Sequence, residues 1–340
     1  KITRDTYMQW IEANGQLSRA NNPEEHGWYG LHFCVNILAK YVQTKDPKWG
    51  RPLIPMLKTF DEETHDIVKR LGWHTNLDHH HPLICLYGKI LAEGGLLDPD
   101  KDKWFKEMVV FHARTLRPDV GPTQYWRGPM TRAQYECAAK WLTALMYPDI
   151  PEADRWKAYG QRTWNDWWNF KDLVGDGCHY YIDNLKAMFL SAYLRNDDAF
   201  FTHPQMQHVW DRLMFEITPD GAISPYGVHF GWHWKAPDRI WMLELLAAKT
   251  RDGRYRWVAH KMMNHLLYQR KEHVAQPKRL HTDYPDSMEM ALAYMFADET
   301  VEPVAPDGGS RILVRKRWLE VHSKQEAEKQ AARIFMETFG

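Results

Sequence analysis

The stretch that decides the fold is Glu25-His26-Gly27-Trp28-Tyr29-Gly30-Leu31-His32-Phe33-Cys34-Val35-Asn36-Ile37-Leu38-Ala39-Lys40-Tyr41-Val42-Gln43. Trp28, Leu31, His32, Val35, Leu38, Ala39 and Val42 recur at three- and four-residue intervals, the spacing of a helix with a broad buried face. The same period returns over Asp61–Leu71, His81–Ala92, Lys101–Arg114, Thr131–Met146 and Glu152–Asn169. It continues over Tyr181–Leu194, Gln205–Phe215, Lys235–Lys249, Tyr255–Gln269, Ser287–Phe296 and Gln325–Thr338. The one candidate for a strand is Arg311–Val314. The reading is an all-α chain.

Breakers separate these helices: Pro47 to Gly50, Gly94-Gly95, Pro118-Asp119, Pro148 to Pro151, Gly175-Asp176-Gly177 and Pro219-Asp220-Gly221. Proline lacks an amide donor and glycine accepts positive φ, so both stop a helix. About a dozen helices with no shift in composition and no long linker predict helical hairpins in one domain, 1–340, with 300–340 as a C-terminal extension packed on it. A solenoid would repeat its sequence at a fixed period. No such repeat is found, which favours hairpins arranged in an (α/α) toroid, whose loops at one end form a cleft.

Composition narrows the function. The 340 residues carry 44 Lys+Arg against 44 Asp+Glu, a formal net charge of zero, where a nucleic-acid binder shows a basic excess. A hydrophobic fraction of 44% excludes disorder. A mean hydropathy of −0.60 and the lack of an apolar run of about 18 residues argue against a membrane-spanning helix. The four cysteines form no CxxC pair and read as buried thiols. No GxSxG elbow, P-loop or GxGxxG fingerprint occurs.

What stands out is the aromatic content, with 17 Trp and 16 Tyr beside 18 His. Many of the tryptophans, such as Trp28, Trp141, Trp210, Trp241 and Trp257, fall at core spacing on helices. The informative ones gather in Pro219-Asp220-Gly221-Ala222-Ile223-Ser224-Pro225-Tyr226-Gly227-Val228-His229-Phe230-Gly231-Trp232-His233-Trp234. This segment is too rich in Gly and Pro for a helix and too aromatic for an ordinary solvated loop. Its flat rings suit sugar stacking, and its His and Tyr suit proton transfer.

A second segment, Gly175 to Asn184, opens a helix with His179, Tyr181 and Asn184 in its first turns. A third, Thr75 to Pro82, holds His79, His80 and His81, which cannot all face one way. It reads as a loop that turns one histidine into the cleft, with no metal. Arg127 and Arg239 are of the type that pairs with a carboxylate.

The block from His179 to Thr250 resembles the catalytic half of the (α/α)-toroid polysaccharide lyases, the alginate-lyase, chondroitin-lyase and heparinase-like group. Tyr180-Tyr181-Ile182-Asp183-Asn184 leads to Pro219-Asp220-Gly221 and then to Tyr226, His229 and His233. It differs from the alginate lyases in lacking their Asn-Asn-His triplet and the Arg–Tyr pair after the Asp-Gly turn. The resemblance implies β-elimination on an anionic, uronic-acid-containing polysaccharide, without a cofactor. It implies Asn184 and His179 at the substrate carboxylate, Tyr226 as acid or combined acid and base, and His229 or His233 as alternative base. Trp232, Trp234, Arg239, Tyr181, His80 and Arg127 would hold the sugar chain. A secreted or periplasmic location goes with this reading and presumes a signal peptide removed before Lys1. Two alternatives stay open. One is a glycoside hydrolase on the same scaffold, using a pair among Asp176, Asp183, Asp220 and Asp283. The other is a glycan-binding module without catalysis.

Overall fold

The computed structural model describes residues 1–14, 17–22, 27–72, 77–116, 131–170, 178–218, 220–222, 235–273, 286–306, 310–314 and 317–321. The helices are α1 (Arg4–Asn14), α2 (Gly27–Thr44), α3 (Pro47–Gly50), α4 (Leu53–Leu71), α5 (Leu77–Glu93), α6 (Pro99–Thr115) and α7 (Thr131–Met146). They continue with α8 (Ala153–Phe170), α9 (Cys178–Leu194), α10 (Asp198–Thr202), α11 (Gln207–Phe215), α12 (Lys235–Thr250), α13 (Gly253–His273) and α14 (Asp286–Phe296). The all-α reading holds for the described residues up to 306. After it, β1 (Ser310–Val314) pairs antiparallel with β2 (Arg317–Val321), Leu313 opposite Trp318. The helix expected over Gln325–Thr338 lies outside the described residues.

Local chemistry explains the boundaries. Asp98 caps α6 by accepting from the Lys101 amide, with Pro99 at the first helical position, where a missing N–H costs nothing. Asp46 caps the short α3 in the same way, so the Pro47–Gly50 breaker is itself one helical turn. Sequence periodicity overlooked α1 and the five-residue α10.

Six helices pack in succession: α2 against α5, α5 against α7, α7 against α9, α9 against α12, α12 against α14, and α14 back against α2. The others lie on this set, with α4 on α2, α6 on α5 and α7, α8 on α7, α11 and α13 on α12, and α1 on α14 and α2. Along α9, Lys186 meets Asp238 and Glu289, Phe189 meets Trp241, and Tyr193 meets Phe296. Contacts that advance together in this way require α9, α12 and α14 to run in the same direction.

The core is built from rings as much as from aliphatic chains. Phe189 takes edge-on contacts from Phe200, Trp210 and Trp241. Trp210 and Trp241 are buried, so these tryptophans belong to the scaffold. Arg195 lies 4.0 Å from the centroid of Trp141 and 4.2 Å from that of Trp164, a cation between two faces. Close helix approach depends on Gly160, where a Cβ would fall 2.5 Å from the Trp141 ring. Gly160→Ala is therefore expected to cost about 1–3 kcal/mol in urea unfolding, because the ring has to leave its place between α7 and α8.

Candidate active site at the amino ends of α5, α7, α9 and α12

The sequence nominated residues from scattered segments, and their positions on the helices share a pattern. His80 is in the first turns of α5, and His179, Tyr181 and Asn184 are in the first two turns of α9. Tyr226, His229, Trp232, His233 and Trp234 precede α12 directly in sequence, and Arg127 shortly precedes α7. Arg127 and the five residues between Tyr226 and Trp234 lie outside the described residues, as do the side chains of His179 and Tyr181.

Asn184 is 1% exposed. Its Oδ1 accepts from the Trp167 indole N–H at 2.6 Å, and its Nδ2 has no hydrogen-bond partner. The indole thus fixes the amide flip and leaves two N–H donors uncommitted. His80 is buried at 7%.

Two expectations are corrected. Arg239 does not reach a cleft. It is fully buried, donating from Nη2 to Glu216 at 2.9 Å and from Nη1 to the Leu213 carbonyl at 2.9 Å. Arg212 pairs with the same carboxylate at 2.7 Å. Two guanidiniums overcome the burial that would raise the Glu216 carboxyl, and hold it below the usual range. The guanidinium of Arg239 is committed to joining α12 to the end of α11.

The histidine triplet is also not a loop. Helix α5 starts at Leu77 and carries Pro82 inside it. His81 turns into the core, where its Nε2–H donates to the Val109 carbonyl at 3.2 Å and its Nδ1 faces the Cys85 thiol at 3.6 Å. Burial pushes the His81 imidazole down to about 3. Cys34, Cys85 and Cys137 are buried free thiols, each raised to about 12 by loss of solvent.

The strongest constellation among the described residues was not nominated. Lys186 of α9 places its ammonium 2.9 Å from Asp238 Oδ1 on α12 and 3.6 Å from Glu289 Oε1 on α14. Both carboxylates are 2% exposed and the lysine 16%. Trp241 also turns its indole N–H toward Asp238 Oδ1, at 3.4 Å. Asp238 and Glu289 stand in the first turns of their helices, where the positive end of the helix dipole favours an anion. The periodicity that identified these helices could not find the cluster, since its members belong to three of them.

The scaffold has a concavity at the carboxyl ends of α2, α5, α9 and α14. This cavity of about 350 Å³ is lined by Tyr41, Lys45, Glu93, Tyr193 and Phe296 among others. None of the nominated residues lines it. No group of three metal-ligating side chains occurs among the described residues, and no helix among them is long and apolar enough to cross a membrane. No protein-family model matches the chain, and neither does any curated protein or solved structure.

Proposed function

We propose that the chain is a polysaccharide lyase on an (α/α) toroid, secreted or periplasmic, that cleaves a uronic-acid-containing polysaccharide by β-elimination. One observation carries the reading. Apart from Arg239, the nominated residues stand at, or directly before, the amino ends of α5, α7, α9 and α12, four members of the succession that returns from α14 to α2. A toroid would give its inner helices this order, and residues from four chain segments would then be carried toward one end of it.

The residue types suit the reaction. The substrate carboxylate must be neutralised before its C5–H becomes acidic, a role for Asn184, whose Nδ2 is buried without a hydrogen-bond partner, and for His179. Tyr226 donates a proton to the leaving O4, and a neutral His or Tyr accepts the C5 proton. Trp232, Trp234, Tyr181, His80 and Arg127 hold flanking sugars. The test is incubation with a panel of uronate polysaccharides while following the ultraviolet absorbance of the unsaturated uronate. Tyr226→Phe is expected to lower its rate of appearance at least about tenfold. Product formation at the wild-type rate excludes Tyr226 as the acid.

A second reading has its own observation. Asp238 and Glu289 share one ammonium at 2.9 and 3.6 Å, and glycoside hydrolysis uses two carboxyl groups. Of the four aspartates first considered for that chemistry, Asp176 and Asp283 lie outside the described residues, and so does the side chain of Asp183. A hydrolase releases reducing ends without the ultraviolet chromophore and loses activity in Asp238→Asn. A binding module retains the polysaccharide and releases nothing.

A further inference from the structure

We propose that the cavity at the carboxyl ends of α2, α5, α9 and α14 is a binding site for a free α-amino acid with an apolar side chain. The inference stands apart from the lyase reading, since none of the residues nominated for catalysis lines this space. Two opposite charges carry it. Lys45 and Glu93 both line the cavity, yet they do not pair with each other. The Lys45 ammonium pairs with no carboxylate among the described residues and lies 6.0 Å from the centroid of the Tyr41 ring. Glu93 pairs with Lys89, one turn back on the same helix. Both of those side chains are exposed, and such a pair is worth little in water and exchanges readily. An ammonium and a carboxylate held apart across one small space are bridged by a ligand that carries both charges. Its carboxylate meets Lys45 and its ammonium meets Glu93, each through a charge-assisted hydrogen bond.

The surrounding helices set the same polarity. All four turn their carboxyl ends to the cavity, where the negative end of the helix dipole favours a cation. Glu93, the last residue of α5, adds a full negative charge at that end. Lys45, directly after α2, is left to hold the ligand carboxylate. A neutral sugar would leave both charges unanswered, and a uronate would answer Lys45 alone.

The walls are fixed before any ligand arrives. Lys45 takes φ +55°, and its amide closes α2 by donating to the Tyr41 carbonyl at 2.8 Å. A Cβ on Gly94 would overlap the Tyr41 hydroxyl, so Tyr41 lies directly on the end of α5 and holds the two charged ends side by side. Across the cavity, Tyr193 rests edge-on against Phe296, with ring centroids 4.7 Å apart. Leu86, Ile90 and Met295 join Phe296 in an apolar lining for the ligand side chain. The volume of about 350 Å³ is at the small end of the range for small-molecule sites, about 300–1,000 Å³, which is room for one amino acid.

Calorimetric titration of the full chain with L-leucine and with L-phenylalanine checks the assignment. Saturable binding of at least one is expected, weakened at least about tenfold in Glu93→Gln and in Lys45→Asn. Asparagine tolerates the positive φ that Lys45 adopts, and both positions are exposed, so neither change disturbs the core. N-acetyl-L-leucine, which lacks the ammonium, and L-leucinamide, which lacks the carboxylate, are expected to lose the same factor on the wild-type chain. These two ligands decide the matter if a variant does not fold. No saturable binding of either amino acid at millimolar concentration overturns the proposal. So does equal binding of N-acetyl-L-leucine or L-leucinamide, which marks an apolar hole indifferent to charge. Unchanged affinity in both folded variants also overturns it, because the ligand then sits elsewhere.

Discussion

Between pH 6.5 and pH 3 the protein is expected to lose about 5 kcal/mol of folding stability through His81 alone. The imidazole is fully buried, and both its nitrogens are engaged as the neutral ring requires. Protonation would put a second N–H against the Cys85 thiol, a poor acceptor, and a charge where water cannot reach. The value in the folded protein thus lies below that of the unfolded chain. At any pH between the two, the unfolded chain takes up a proton that the native one refuses. The stabilisation is complete above pH 6.5 and is lost as pH falls toward 3, at about 1.4 kcal/mol per pH unit. His112 adds to the same side: burial outweighs its bond to Asp61, at 2.9 Å, and holds it below the usual imidazole range. Urea unfolding across this interval checks the sign and the slope. His81→Gln, which has nothing to protonate, is expected to be less stable at neutral pH but to have a flatter acid limb. An identical slope in that variant excludes His81 as the source.

Lys186→Met is expected to cost about 3–5 kcal/mol, since it removes the cation between two carboxylates that are each 2% exposed. Methionine keeps much of the volume, so the loss reports charge more than packing. Combining it with Asp238→Asn and Glu289→Gln is expected to recover most of the stability, because neutral amides carry no uncompensated charge into the interior. Urea midpoints of the single and triple variants check this. A triple variant no more stable than Lys186→Met would show that the lysine acts through its hydrocarbon stem.

Much of the helical framework was legible because the helix period is a local property. Thr131–Met146 was read to the residue, and Lys235 and Phe296 were placed at the correct helix ends. Where local cues conflicted, the reading failed. Pro82 and the adjacent histidines suggested a loop, yet α5 begins at Leu77 and includes them, packed through His81 against α6 and α7. Arg239 showed the same limit at the level of function. An arginine near an aromatic segment looks like a carboxylate ligand, and nothing in its neighbours announces that Glu216 has already taken it.

The aromatic and histidine-rich segments, and their attachment to particular helices, were determined by sequence alone, because composition and period are written residue by residue. The tertiary structure decided which polar groups meet. Lys186, Asp238 and Glu289 come together only because α9, α12 and α14 are neighbours running in one direction, and Asp220 reaches His265 only because Gly221 lets its turn lie against α13. Charge pairing acts over a few ångströms of space, whatever the distance along the chain, so it becomes visible only once the chain is folded.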